Sequence, residues 1–310
     1  MPAKVGFVAV IGRPNAGKST LVNQLVGQKV AIVTPRPQTT RNRIQGIVNR
    51  PGAQIVLIDT PGIHKPETQL GRQMMEEVRQ ALDGIDLLVL IVDASEEFGK
   101  GDRIALDTAH GFAGATILAL NKVDRIAKLH LLPKIKFYTG QHDFAAVVPI
   151  SAMTGEGLPA LLSEIESRLP EGEPYFPPDQ YTDQPERFLA AEIVREKAIL
   201  VLRQELPHAI AVLIDNYEEG ERLLRIHATI YVERDGQKGI VIGKGGAMLK
   251  KIGTDARHEL ERLLGGKVFL ELHVKVQPDW RDQRGMVKQL DWRRQLEQLG
   301  ERESADAIDD

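Results

Sequence analysis

An apolar run, Val5–Ile11 (VGFVAVI), leads directly into Gly12-Arg13-Pro14-Asn15-Ala16-Gly17-Lys18-Ser19 and then into a helical stretch, Ser19–Val26. This is GxxxxGK[ST] between a buried strand and a helix, an order that commits the amino-terminal part of the chain to a phosphate-binding strand–loop–helix unit. Glycines let the loop's N–H groups wrap an anion at the helix N-terminus. Lys18 is placed to neutralise β- and γ-phosphate oxygens, and the Ser19 hydroxyl to bind Mg2+. The residues read as nucleotide-binding here are Gly12, Arg13, Pro14, Asn15, Ala16, Gly17, Lys18, Ser19 and Thr20.

The residues that follow repeat the same grammar. Ala53–Asp59, Ile85–Asp93, Ala115–Leu120 and Ala145–Ile150 are near-continuous apolar runs, with a helical pattern over Leu70–Leu82 between the first two. Such runs predict an α/β domain with a mostly parallel sheet covered on both faces. Ligands of these sheets bind beyond the strands' carboxyl ends. Three further motifs stand there. Asp59-Thr60-Pro61-Gly62 ends one strand: Asp59 is read as holding Mg2+ through water, and the Gly62 N–H as meeting the γ-phosphate. Asn121-Lys122-Val123-Asp124 follows another, and the Asp124 carboxylate can accept from guanine N1–H and the 2-amino group, a pair adenine does not offer. Ser151-Ala152-Met153 follows the last strand, where a backbone N–H can reach guanine O6.

Four such elements in this order resemble the translation-factor-like GTPases over about 170 residues, a P-loop GTPase domain. The resemblance implies GTP and GDP as ligands and a threonine between the first two motifs that completes Mg2+ coordination. Thr40, just before Arg41, is favoured, with Thr39 second. The metal set is then Ser19, Thr40 and Asp59, and the catalytic set Lys18, Thr40 and Gly62. One position departs from the pattern. Many GTPases carry a glutamine after the glycine of the second motif to orient water; here it is Ile63, so slow intrinsic hydrolysis is expected. In related GTPases with such an apolar replacement, an asparagine at the position of Asn15 helps hold K+ near the phosphates.

Residues 170–185 contain five prolines and read as a linker. Beyond them Glu186–Glu205 is helical in pattern, Ala209–Tyr217 and Leu223–Glu233 are strands, two glycine-broken helices surround Ile240–Gly243 and Ala247–Leu264, and Val268–Val276 is a strand with one wet face. Ile242-Gly243-Lys244-Gly245-Gly246 contains GxxG between apolar helical stretches. Positive charge concentrates there, with Lys250 and Lys251 just beyond; positions 248, 249, 252, 256, 260, 263 and 264 form an apolar helix face. This resembles an α+β KH domain of type II, whose GxxG loop clamps single-stranded RNA. The expected RNA-contacting residues are Ile242, Gly243, Lys244, Gly245, Gly246, Lys250 and Lys251.

The combination, with DTPGIHKP and RFLAAEIVREK, resembles the Era family of bacterial ribosome-assembly GTPases over residues 4–280. That resemblance implies a switch that binds the 3′ region of small-subunit ribosomal RNA, associates with the small ribosomal subunit and touches the inner membrane surface peripherally. The expected divisions are 1–170 (GTPase), 171–185 (linker), 186–280 (KH) and 281–310 (C-terminal extension). Residues 281–294 are basic and read as a solvated helix, and the last ten, largely acidic, as a frayed end. A membrane-associated regulatory GTPase with a protein-binding C-terminal domain is the alternative; the GxxG and its lysines weigh against it.

Composition narrows the rest. With no cysteine in 310 residues, thiolate metal sites, disulfides and a cysteine nucleophile are excluded. No apolar run approaches the ~20 residues that span a bilayer, and none at the N-terminus resembles a signal peptide. A net charge of −3 argues against a globally basic nucleic-acid binder and leaves room for local patches. A cytoplasmic monomer is expected.

Overall fold

The computed structural model describes residues 3–202 and 206–294. Contacts divide the chain into two units, one of Met1–Pro66 with Met74–Asp183, the other of Glu67–Gln73 with Gln184–Asp310.

The first unit is a wound α/β sheet. Its elements are β1 (Ala3–Ile11), α1 (Lys18–Val26), β2 (Ile44–Arg50), β3 (Ala53–Asp59), α2 (Gln69–Leu82) from Met74 onward, β4 (Leu87–Asp93), α3 (Lys100–His110), β5 (Ala115–Asn121), α4 (Leu131–Thr139), β6 (Ala146–Pro149), α5 (Leu158–Glu166) and a short β7 (Glu171–Gly172). Strand order is β2-β3-β1-β4-β5-β6. Only β2, on β3, and β7, on β1, pair antiparallel. Every residue of β3 and β4 is buried, as expected of strands covered on both faces. Because β1 lies between β3 and β4, the connections diverge at its carboxyl end. That is the topological switch point where such sheets bind ligands, and Gly12 begins there.

The proline-rich stretch, expected to be a linker, is tied down on this unit. Gln54 accepts from the Tyr175 and Phe176 N–H groups through Oε1 and donates to the Phe176 carbonyl. Asn49 Nδ2 donates to Pro178 O, the Ile47 N–H to Tyr181 O, and Thr182 Oγ1 to Gln45 O. The strap covers the exposed edge of β2, which would otherwise offer unpaired backbone groups.

The second unit contains α6 (Glu186–Val201), β8 (Ala211–Glu219), β9 (Leu224–Val232), α7 (Asp235–Ile242), α8 (Ala247–Leu264), β10 (Val268–Val276) and α9 (Arg284–Gln289). β9 is central, antiparallel to β8 and parallel to β10. Ile252, Ala256 and Leu260 of α8, four residues apart, and Ile193, Val194 and Ala198 of α6 join the strands in one core. α6 stops at Val201, short of its expected end at Glu205, because Leu202 is already extended; residues 203–205 lie outside the described residues.

The extension differs from its expectation as a solvated helix. Trp280 is fully buried, donating Nε1–H to Ala209 O; Met286, Val287, Leu290 and Trp292 are buried, and the Trp292 ring lies tilted beside that of Phe188. Arg281 forms a bidentate pair with Glu233. Charge dominated the sequence reading, but the two indoles decide the packing. The acidic end, residues 301–310, lies outside the described residues.

Candidate nucleotide site and nucleic-acid groove

At the end of β1 a cavity of about 630 Å3 opens, lined by the loop between β1 and α1, by Ile32–Arg36, Gln38, Thr39 and Thr40, and by Gly62, Asp93, Glu96, Lys122, Arg125 and Met153. Lys18 is buried and donates to the carbonyls of Gly12 and Arg13. Burial lowers its pKa to about 8, against the pull of Asp59. Burial pushes the Asp59 carboxyl up to about 6, against the opposing pull of Lys18, Ser19 and Thr40. Both groups thus lack sufficient counter-charge: the ammonium favours an anion beside it, the carboxylate a cation.

Ser19 Oγ donates to Asp59 Oδ2 at 2.6 Å and lies 2.8 Å from Thr40 Oγ1, which is 3.4 Å from the same carboxylate oxygen. Asp59 Oδ1 is buried with no hydrogen-bond partner among the described residues. Three hard oxygen ligands converge with an orphaned carboxylate oxygen, a donor set that fits Mg2+. Thr39 is turned elsewhere: its Oγ1 donates to Arg36 O and lies 2.6 Å from Thr34 Oγ1. Geometry therefore separates two threonines that sequence left as first and second choice.

Asn121 and Lys122 brace the loops. Asn121 Nδ2 donates to Ala16 O at 2.8 Å, and its Oδ1 accepts from the Ala152 N–H at 2.9 Å. Lys122 Nζ donates to Asn15 O at 2.8 Å and to the buried Asp93 carboxylate at 2.5 Å. Hydrogen bonds from Lys122 and Ser95 hold the Asp93 carboxyl below the usual range despite its burial. Val123 and Asp124 form a 3-10 turn with Arg125; Asp124 is exposed, and Lys122 and Arg125 line the cavity whereas Val123 and Asp124 do not. Of the last triplet, the Ser151 N–H goes to Glu156 O and the Ala152 N–H to Asn121. Met153, 66% exposed, lines the cavity. Thr60 is buried, its Oγ1 donating to Val10 O, and Pro61 is buried beside it. Thr20 lines the cavity next to Ser19.

Sequence reasoning missed Asp93, Glu96 and Arg125. Asp93 carried a signal, an acid closing an all-apolar strand; the Ile32–Arg36 wall lies within residues 31–40, the segment that GTP is expected to order. Asn15, at φ 62°, is exposed and donates Nδ2–H to Pro35 O at 3.2 Å.

In the second unit, Gly243 has φ +73°, and a Cβ there would lie 2.7 Å from Met248 Cβ and 2.9 Å from Met248 N. The loop turns so tightly onto α8 that only glycine fits. Ile242 packs on the core, while Lys244 and Gly245 are exposed at the tip with Gly246 behind them. Lys250 lines an adjoining groove of about 410 Å3; Lys251 is exposed and pairs with Asp255. Leu249, Gly253, Thr254, Arg257, Leu270 and Leu272 complete the groove with Gly246 and Glu271, and none of these eight except Gly246 was expected as a contact. The alternation along β10 was the available signal for Leu270 and Leu272. Its lining combines apolar Leu249, Leu270 and Leu272 with the cations Lys250 and Arg257 and one acid, Glu271; the apolar part suits bases and the cations suit phosphates.

Residues 7–122 match the family described as 50S ribosome-binding GTPase, and residues 205–281 match the KH domain family. A crystal structure of a point variant of Aquifex aeolicus Era bound to GDP·AlF4− is 44% identical, covers 93% of this chain and 99% of its own, and superposes with a TM-score of 0.89. A crystal structure of Era with MgGDPNP and nucleotides 1506–1542 of 16S ribosomal RNA is 43% identical over 94% of this chain and 99% of its own, also at 0.89. With likeness of this degree across both units, the chain belongs to the Era family of GTPases, a P-loop GTPase domain joined to a KH domain.

Proposed function

We propose that the chain is a GTP-hydrolysing switch that binds the 3′ region of small-subunit ribosomal RNA through its KH domain and assists assembly of the small subunit. Lys18, Ser19 and Thr40 on one cavity, with the buried Asp59 carboxylate bonded to Ser19 and beside Thr40, carry the nucleotide part. The GxxG groove, and the 16S RNA segment held by the Era of similar sequence, support the RNA part. That RNA belongs to the small subunit, and the relative matches nearly the whole chain, so it outweighs the large-subunit description of the shorter family match.

In this reading the loop N–H groups and Lys18 take the β- and γ-phosphates, Lys18 exchanging its two carbonyl acceptors for phosphate oxygens. Ser19 and Thr40 ligate Mg2+ directly and Asp59 through water; bound there, the ion neutralises charge on the bridging oxygens. Gly62 N–H meets the γ-phosphate. Asp124 accepts from guanine N1–H and the 2-amino group, and Met153 N–H, the one N–H of its triplet not directed to a protein acceptor among the described residues, faces O6. GTP orders residues 31–40 and 62–70, and hydrolysis releases them. The Asn15 amide donates Nδ2–H to Pro35 O, which leaves its Oδ1 as the proposed K+ ligand near the phosphates. Equal turnover in KCl and NaCl would remove the K+ role.

The functional divisions remain 1–170, 171–185, 186–280 and 281–310. Kinship with the Era family supports a cytoplasmic monomer with transient contact at the inner membrane surface. Among the described residues no helix is long and apolar enough to cross a membrane, and flotation with anionic vesicles tests the contact. The whole reading is tested by titrating a strand of the rRNA 3′ sequence into the GDPNP and GDP forms. Linkage requires that RNA raise GTP affinity by the factor by which GTP raises RNA affinity. Identical RNA affinities in both forms, with no effect of RNA on nucleotide binding, would refute the coupling.

A further inference from the structure

Ile63 occupies the position where a water-orienting glutamine stands in many GTPases. It is 3% exposed and packs in the core with Ala9, Ile11 and Val78, turned away from the cavity. The peptide that joins it to Gly62 is held from both sides. The Ile63 N–H donates to Gly12 O at 3.1 Å, and the Gly62 carbonyl accepts from His64 Nδ1 at 2.8 Å. A carbonyl can only accept, so Nδ1 carries a proton in this contact. Nε2 is buried and has no partner among the described residues. The ring therefore makes a single hydrogen bond while leaving its second nitrogen unsatisfied. An apolar side chain of similar size would avoid that cost but would release the Gly62 carbonyl.

Gly62 has little room for error. A Cβ there would lie 2.7 Å from Pro14 Cα and 2.8 Å from Pro14 N, so the loop is pressed against the phosphate-binding loop. Gly62 lines the cavity, whereas Ile63 and His64 do not. From this geometry we infer that His64 is a positioning residue for hydrolysis: its Nδ1–H clamps the Gly62 carbonyl and so fixes the Gly62 N–H on the γ-phosphate. The clamp rests on the reading of the cavity as a GTP site. It supplies through the backbone part of the order that a glutamine side chain would otherwise provide, and it acts on the transferred phosphate rather than on nucleotide retention.

The test uses the full chain with His64→Leu and His64→Asn, the asparagine amide being able to donate from the place of Nδ1. Single-turnover GTP hydrolysis, GDP affinity and retention of GDP·AlF4− are measured for each. The leucine variant is expected to hydrolyse about tenfold more slowly and to lose AlF4− retention, with GDP affinity within about twofold of the parent, and asparagine to recover most of the rate. The inference is overturned if His64→Leu hydrolyses at the parental rate, if its rate and GDP affinity fall together, or if asparagine is no better than leucine. Failure of the parent protein itself to hydrolyse GTP would instead sink the GTPase reading, and the two failures are told apart by that control.

Discussion

Replacing Asn121 by alanine removes two buried hydrogen bonds at once, to Ala16 O at 2.8 Å and from the Ala152 N–H at 2.9 Å. These link the phosphate-binding loop to the loop after β6, and neither touches the cavity. Each orphaned buried group costs about 1–3 kcal/mol. In the empty protein the two loops can relax and let water reach Ala16 O and Ala152 N; bound nucleotide locks both loops and denies that relief. The cost therefore falls on binding. Taking the low end for both groups gives about 2 kcal/mol, or roughly thirtyfold in GDP affinity. Calorimetric titration with GDP reads this directly, and urea unfolding of the empty protein should show a smaller loss. A GDP Kd within about threefold of the parent, or a loss confined to folding stability, would refute the bracing argument.

Other predictions bear on charge and shape. Because burial lowers Lys18 to about 8, the empty protein loses this charge above that pH and phosphate restores it. GTP binding near pH 9 should take up a proton and weaken as pH rises, seen as a binding enthalpy that depends on the buffer near pH 9 but not near pH 7. Asp124→Asn should move base preference from guanine towards xanthine, measured by competition, with little change in unfolding midpoint because Asp124 is exposed. Lys244→Glu should weaken binding of single-stranded RNA, with a shallower salt dependence and unaltered GTP hydrolysis in the free protein. Gly243→Asp should lose RNA binding as well, but with a lowered melting temperature, since its φ and the approach of Met248 exclude any side chain.

The motifs were legible because phosphate chemistry acts through backbone groups whose spacing the chain writes locally, and β3, β4 and α8 because their burial is continuous or periodic. β2 was not expected: with Gln45, Gly46 and Asn49 among seven residues, this edge strand lacks an apolar run. α3 buries chiefly alanines and Leu106, too faint a stripe to read. The proline-rich strap looked like a linker because its partners, Gln54 and Asn49, lie more than a hundred residues away. The extension misled through its charges, although Trp280 and Trp292 were visible. In the site, position before Arg41 favoured Thr40 over Thr39, but only folding gives the two hydroxyls different partners and brings Asp93 to Lys122.

The central claim is that the cavity at the end of β1 selects the guanine base and holds its triphosphate with Mg2+. Calorimetric titration of the purified chain with GTP and with ATP, each with Mg2+, tests it most directly. The account predicts a saturating heat for GTP and none for ATP over the same concentrations; equal heats, or a preference for ATP, would contradict it.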